Sequence, residues 1–213
     1  MALPTHRSTP TPATIALLCG LVPLLTVHVC YVLSASAGVI PTCIPYLDGC
    51  TSISATGRHG WGYGLFKAGM LPSALVLVVY WRLCRDWLLE AGDVDGPGLR
   101  SLLWLGIAGA LFLVLYTVFL GHKGEVYNLL RRFGVTLNLG FTLLAQLLVV
   151  WRLRRLRDNL GQAPCPAGIL RAKTWLVAAL LLLGLGSIPV SNFIADKDPV
   201  ENAIEWTLRP VSG

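Results

Sequence analysis

The chain has 213 residues, which is enough for one domain of ordinary size. Hydrophobic residues make up 54% of it and charged residues only 13%, whereas a soluble domain carries about 25% charged residues. This is too little charge to cover a water-facing surface, and six cysteines are too few for a small disulfide scaffold. The composition therefore indicates an integral membrane protein and excludes disordered and fibrous chains.

Five long apolar runs follow one another along the chain. A bilayer core about 30 Å thick needs about 20 apolar helical residues, because backbone polar groups find no water in lipid. We predict an all-α fold, a polytopic helical membrane bundle that forms one transmembrane domain over residues 1–213. The predicted spans cover approximately residues 13–33, 62–83, 101–121, 133–151 and 174–195.

Tryptophans and basic residues orient these spans. Four tryptophans lie at the predicted helix ends on one side of the membrane, namely Trp81, Trp104, Trp151 and Trp175. Two more, Trp61 and Trp206, lie near the other side of the membrane, as in the aromatic belts of membrane proteins. Basic residues are concentrated on the first side, mainly between Arg152 and Arg157, which predicts a cytoplasmic amino terminus. These arginines are typical of a stop-transfer anchor that attracts anionic lipid. No nucleic-acid partner is expected, because no recognised binding motif or interleaved exposed aromatic residues accompany them.

Two of the six cysteines lie close together in the first exterior loop. Cys43 and Cys50 could form a disulfide in an oxidising compartment, and Cys30 near the same face is a competing partner. Cys84 and Cys165 fall in cytoplasmic loops and are expected to stay reduced. No C-x-x-C spacing occurs, so the sequence predicts no zinc or redox site, and we expect neither a metal nor a cofactor.

Histidines and carboxylates gather on the predicted exterior side. The residues that could form a catalytic site there are His28, His59, His122, Asp48 and Glu205. Such groups can act as general acids and bases or bind a metal, but their spacing follows no known motif. Solvated loop residues are the simpler interpretation. His28 differs from the others, because it falls late in a span, where a polar group is costly.

The segment 199–208 has apolar and polar residues at roughly helical spacing. We predict that it forms a short carboxyl-terminal interfacial helix, with Trp206 at headgroup level and Glu205 facing His59, His122 or Arg58. The alternative is a frayed terminus, because chain ends are commonly disordered.

Two features inside the spans are candidates for ligand contacts. Asn138, Thr142 and Gln146 are spaced by four residues and therefore share one helical face. In lipid that face must turn inward, either to join helices by hydrogen bonds or to line a polar cavity. Lys67, in the first turns of the second span, either extends to the headgroups or faces the bundle interior, where a charge is usually functional.

Short motifs resemble one membrane protein family. Residues 52–57 (SISATG) and 62–70 (GYGLFKAGM) resemble the exterior-loop signature of the Frag1/DRAM/Sfk1 family. Residues 122–125 (HKGE) loosely resemble the entry to its fourth span, and residues 201–206 (ENAIEW) resemble an element before its last span. The motifs occur in the family's order, and the likeness spans most of the chain.

Two departures from the family pattern bear on its interpretation. Ala55 stands where family members have an acid, so Asp48 would have to supply that group or its role is absent. The family has six spans, whereas this sequence predicts five. An incomplete, divergent or bacterial member that lacks the sixth span would fit this pattern.

The resemblance implies a membrane protein that takes part in lipid handling. Examples are remodelling of glycosylphosphatidylinositol anchors, maintenance of lipid asymmetry and functions at autophagy-linked membranes. It brings no accepted catalytic residues. The leading hypothesis is therefore a non-catalytic module that binds membrane lipid or another membrane protein, in a bacterial inner membrane or a eukaryotic endomembrane or plasma membrane. The alternative is a membrane-embedded lipid hydrolase or acyltransferase that uses the exterior histidines and carboxylates. A third hypothesis is a small transporter or channel subunit that uses the polar face of the fourth span.

Overall fold

Apolar helices make up most of the computed structural model. The structure describes residues 12–122, 124–160 and 166–193, together with residues 203, 206 and 207. All regular secondary structure within these residues is helical, which confirms the all-α fold class. A helix satisfies its own backbone hydrogen bonds, so long apolar stretches are stable in lipid in this form.

Within the described residues, five long helices and two short helical turns follow in chain order. They are α1 (Pro12–Ser36), α2 (Pro45–Asp48), α3 (Ile53–Thr56), α4 (Gly60–Glu90), α5 (Pro97–Val118), α6 (Glu125–Leu160) and α7 (Ala167–Phe193). Four of them, α1, α4, α5 and α6, are long and apolar enough to cross a membrane. After α7, residues 203, 206 and 207 are helical, and Thr207 Oγ1 donates to the Ala203 carbonyl at 2.9 Å.

Several helices are longer than the predicted spans. The span predicted at 62–83 lies within α4, and the span predicted at 133–151 lies within α6, which has 36 residues. At helical rise, α6 is roughly 54 Å long and exceeds a bilayer core of about 30 Å. Charged residues mark the limit of the apolar core but are good helix formers, so the helix continues through Arg154 and Arg157.

The last helix overlaps the predicted fifth span. α7 covers Ala167–Phe193 and so contains most residues of the span predicted at 174–195. Leu170 near its start packs in the same cluster as Leu88 of α4, whereas Trp206 packs in the same cluster as Phe66, at the other end of α4. Residues 194 and 195 lie outside the described part of the chain.

We name the two ends of the bundle by one residue each. The His28 end carries α2, α3 and Trp206, and the Arg152 end carries the α4–α5 turn and the last turns of α6. α1 and α4 run antiparallel between these ends, because Gly69 of α4 faces Thr26 of α1 and Gly62 faces Ser34. A Cβ at either glycine would overlap its neighbour, so both positions allow close helix approach.

Trp81 is a core residue rather than a belt residue. Its ring is fully buried, lies 5.0 Å from the Tyr80 ring and occupies the space that Gly106 of α5 leaves open. The prediction that Trp81 lies in the aromatic belt is therefore wrong, because belt residues face lipid or headgroups. The other tryptophans assigned to this side, Trp104, Trp151 and Trp175, are exposed.

Substitution of Gly106 tests this packing. We expect Gly106→Ala to lower the free energy of unfolding by about 1–3 kcal/mol, because the new methyl group would overlap the rigid Trp81 ring. Thermal unfolding in detergent measures the effect, and Gly140→Ala is the matched control, since a Cβ at Gly140 meets no atom within 4 Å. Equal melting temperatures for the two variants would contradict the close approach of α5 to Trp81.

Candidate functional site

His28 lies in the second half of α1 and makes two hydrogen bonds within the protein. Its Nδ1 is 2.7 Å from the Leu24 carbonyl oxygen, and its Nε2 is 2.8 Å from the Tyr46 hydroxyl of α2. A carbonyl oxygen only accepts, so Nδ1 carries the proton of the neutral ring and Nε2 accepts from Tyr46. Both ring nitrogens are therefore satisfied, which lowers the cost of placing a polar ring in an apolar helix.

Trp206 fills the space between His28, Tyr31 and Tyr46, and we call these four rings the aromatic cluster. The centroid of the Trp206 ring lies 5.6 Å from His28, 5.8 Å from Tyr31 and 5.6 Å from Tyr46, at steep interplanar angles that favour edge-to-face contact. Its indole N–H donates to the Thr51 carbonyl at 2.9 Å. The side chain is fully buried, so it contacts protein on all sides, and its level in the membrane stays a prediction.

A disulfide between Cys43 and Cys50 closes the loop that carries Tyr46. Tyr31 attaches this loop to α1, because its hydroxyl donates to the Cys43 carbonyl at 2.6 Å and accepts from the Cys43 N–H at 2.9 Å. Cys30, the competing partner, is a buried free thiol 3.5 Å from the Gly62 carbonyl oxygen. The covalent loop and the two tyrosines thereby partly cover His28.

The other residues predicted for an exterior site have separate surroundings. Asp48 accepts the Ile44 N–H at 2.8 Å and so stabilises the start of α2. His59 is exposed directly before α4, and His122 is exposed in the α5–α6 turn, where it contacts two aromatic rings. Glu205 lies outside the described residues. The described part of the chain contains no group of three His, Cys, Asp or Glu residues that could hold a metal ion.

The chemistry available around His28 itself is hydrogen bonding to the Tyr46 hydroxyl and the Leu24 carbonyl. Burial raises the pKa of the Tyr46 hydroxyl, so the group stays protonated and donates to His28 at neutral pH. The ring of His28 is then held by a fixed donor on one side and a fixed acceptor on the other. This arrangement orders the loop over α1 rather than presenting an imidazole to solvent.

Asn138, Thr142 and Gln146 face the bundle interior, with only 8% of Asn138 and 5% of Thr142 exposed. Thr142 lies against Gly109 of α5, and Gln146 Nε2 is 3.5 Å from the Tyr80 hydroxyl of α4, which is a long hydrogen bond. The side-chain oxygens of all three residues are buried and find no hydrogen-bond partner within the described structure. The polar face therefore contacts α4 and α5, and among the described residues no donor reaches its side-chain oxygens.

Lys67 is directed toward the start of α4. Its Nζ donates to the hydroxyl of Tyr63, one turn earlier, and lies 4.2 Å from the centre of that ring. Tyr63 in turn lies against Gly121 at the α5–α6 turn. The amine thus points to the His28 end, which is the direction expected for a lysine that extends to headgroups.

A buried ion pair at the Arg152 end was not identified from the sequence. Arg152 donates to Asp93 Oδ1 at 2.9 Å, and 10% and 8% of the two side chains are exposed. Asp93 follows Gly92, whose positive φ of 93° turns the chain, and Gly98 of α5 leaves the space that the guanidinium group occupies. The available signal was two acids, Asp93 and Asp95, each beside a glycine in a short loop on the same predicted side as the basic cluster.

Comparisons with models of protein families, with curated proteins and with solved structures gave no match. The fold is an all-α helical bundle. Its four long apolar helices are consistent with a multi-pass integral membrane protein.

Removal of one hydroxyl tests the bond between α2 and α1. We expect Tyr46→Phe to lower the free energy of unfolding by about 0.5–1.5 kcal/mol, because His28 Nε2 loses its donor while the ring contact with Trp206 is kept. Thermal unfolding in detergent near neutral pH measures this loss. Tyr127→Phe, at the exposed start of α6, serves as the control and should leave the unfolding temperature unchanged.

The same variant should alter the response to alkaline pH. Below a pH of about 10, Tyr46 is protonated in both the folded and the unfolded chain, and its contribution is intact. Above that value the unfolded chain releases the proton first, because the folded pKa is raised, so stability falls as pH rises. The wild-type protein should therefore lose more stability than Tyr46→Phe between about pH 9 and about pH 11. Equal losses would count against a buried Tyr46 hydroxyl.

Two threonines provide a matched test of the polar face. Thr142→Val removes a hydroxyl without a partner in the described structure, so we expect unchanged stability or a gain of about 1 kcal/mol. Thr117→Val removes a buried hydroxyl that donates to the Leu113 carbonyl at 2.8 Å, and should cost about 0.5–1.5 kcal/mol. Denaturant unfolding of both variants in the same detergent measures the two changes in the free energy of unfolding. A larger loss for Thr142→Val would reveal a hydrogen bond or bound molecule at that hydroxyl.

Proposed function

We propose that this protein is a non-catalytic membrane module of the Frag1/DRAM/Sfk1 type, which binds membrane lipid or positions another membrane protein. The observation that carries the proposal is the hydrogen bond from Trp206 to the Thr51 carbonyl, which bridges 155 positions of sequence. Trp206 ends the segment 201–206, and Thr51 directly precedes the segment 52–57. The last residue of one family-like motif is thus bound to the residue directly before another, at the His28 end.

The polar residues of the segment 52–57 fold the loop onto α1. The Ser52 side chain accepts the Ala55 N–H at 3.2 Å and caps α3, and Thr56 Oγ1 donates to the Ile53 carbonyl at 2.7 Å. Ser34 of α1 donates to the Thr56 carbonyl at 2.7 Å. These hydrogen bonds support the proposal that the motif orders the loop against α1.

The acid that family members carry in this motif has no counterpart at Ala55. Asp48 is bound to the Ile44 N–H in another helical turn, where its carboxylate stabilises α2. The proposal therefore gives no role to an acid at this position and relies on the hydrogen bonds that order the loop.

The geometry at the His28 end favours a binding module over a lipid hydrolase or acyltransferase. A general base needs a free lone pair that faces its substrate, whereas His28 Nε2 already receives the Tyr46 hydroxyl. His59 and His122 are exposed on different segments, His59 before α4 and His122 in the α5–α6 turn beside the Phe119 ring.

The surface below this end suits a hydrophobic partner. α1 exposes Leu25, Val29 and Val32 on the helix that also carries His28, with 58%, 46% and 61% of their surfaces accessible. In a bilayer these side chains face lipid tails or the helix of another membrane protein. The closed end and this apolar face together provide a contact surface at the membrane boundary.

A comparison of membrane lipids tests the proposal in the native host. Deletion of the gene should change the abundance of at least one lipid class, measured by mass spectrometry, and the wild-type gene should restore it. The double variant His59→Ala/His122→Ala should restore it equally well, because those exposed side chains have no part in a binding role. Loss of rescue by this variant, with normal protein abundance, would favour the enzyme.

A second pair of variants tests the role of the motif contact. Trp206→Ala should fail to rescue, whereas Trp206→Phe, which keeps an aromatic ring but loses the bond to Thr51, should rescue in part. Protein abundance in the membrane fraction separates loss of function from loss of folding. An unchanged lipid profile after deletion would overturn lipid handling as the function.

A further inference from the structure

The exposed face of α6 changes from apolar to basic within one helical turn. Leu144, Trp151 and Arg155 are seven and four residues apart, so they share one helical face, and all three are exposed. Leu144 and Trp151 each expose 51% of their surface. Arg154 and Arg155 follow Trp151 by about one turn, or roughly 5 Å along the axis. A side that faces lipid tails thus continues directly into two guanidinium groups.

The arginines on either side of this pair lie beside acidic residues. Arg152 turns inward and is bound to Asp93 at 2.9 Å, and Arg157 lies 3.6 Å from Asp158. For Arg154 and Arg155 the described residues supply no acidic partner. The exposed charge at the Arg152 end of α6 is therefore concentrated beside Trp151.

Trp151 sets the depth of these charges in a membrane. The guanidinium carbon of Arg155 lies 5.6 Å from the centre of the Trp151 ring, within the range of a cation–π contact. An exposed indole on a membrane helix is most stable at the level of the lipid headgroups. The contact therefore holds a guanidinium group at the depth of the lipid phosphates.

We propose that Trp151, Arg154 and Arg155 form a binding surface for the phosphate group of an anionic phospholipid in the leaflet at the Arg152 end. A guanidinium group can bind a phosphate through two parallel hydrogen bonds, and two adjacent arginines can bind two oxygens or two headgroups. A lipid is the occupant, because the same helical face continues into Trp151 and Leu144, where its acyl chains lie. This surface is at the opposite end from the aromatic cluster and does not depend on the function proposed above.

A lipid titration tests the surface with a control on the same helix. Purified protein in phosphatidylcholine nanodiscs is compared with protein in nanodiscs that contain an increasing share of phosphatidylglycerol, and retained lipid is counted by native mass spectrometry after release. We expect the wild-type protein to retain phosphatidylglycerol in preference to phosphatidylcholine. The double variant Arg154→Gln/Arg155→Gln should weaken this preference about 30-fold, which corresponds to two charges at about 1 kcal/mol each.

Arg131 and Arg132 provide the matched control, because they are adjacent arginines at the other end of α6. The double variant Arg131→Gln/Arg132→Gln removes the same charge and should keep the preference within about 3-fold. An equal fall in both double variants would show a response to net charge and would overturn the proposal. Equal retention of the two lipids by the wild-type protein would also overturn it. Unfolding temperatures in pure phosphatidylcholine, which should match among all variants, show that each protein is folded.

Discussion

Backbone polar groups in a bilayer core or buried in the protein must find hydrogen-bond partners away from bulk water, and this requirement governs both the helices and the buried parts of the segments between them. Along the long helices the backbone satisfies itself. Where the chain leaves the helix at the His28 end, side chains supply the partners. The Ser34 hydroxyl binds the Thr56 carbonyl, the Trp206 indole binds the Thr51 carbonyl, and the Tyr31 hydroxyl binds both polar groups of Cys43.

The two ends of the bundle meet this requirement with different chemistry. The His28 end uses neutral donors and acceptors, rings and a disulfide. The Arg152 end uses an ion pair in which both side chains are nearly buried. Loss of one partner from such a pair leaves an uncompensated charge, which is far more costly than loss of a neutral hydrogen bond. The short α4–α5 turn therefore depends on a charge–charge contact with Arg152.

The all-α class could be predicted from the sequence because it follows from apolar length, which is a local property. Helix ends could not, since charged residues such as Arg154 end an apolar run without ending a helix. The same limit applies to the tryptophans. Trp81 and Trp104 look alike in sequence, and burial of the first depends on Gly106 in another helix.

For the candidate site, the inward face of Asn138 and Thr142 followed from spacing alone, because a helix places residues four apart on one side. The partners of His28 did not follow. Tyr46 reaches it across the disulfide loop, and Trp206 reaches it from the far end of the chain. Periodicity carries no information about such distant contacts, which arise from the folding of the whole bundle.

The docking of Trp206 has a consequence for the order in which the protein is assembled. Synthesis proceeds from the amino terminus, so α1 and the disulfide loop emerge long before residue 206 does. Until then His28, Tyr31 and Tyr46 border an open recess of rings on the nascent chain. Closure of that recess therefore waits for Trp206, and a chain that ends before this residue leaves the three rings without their edge-to-face contacts.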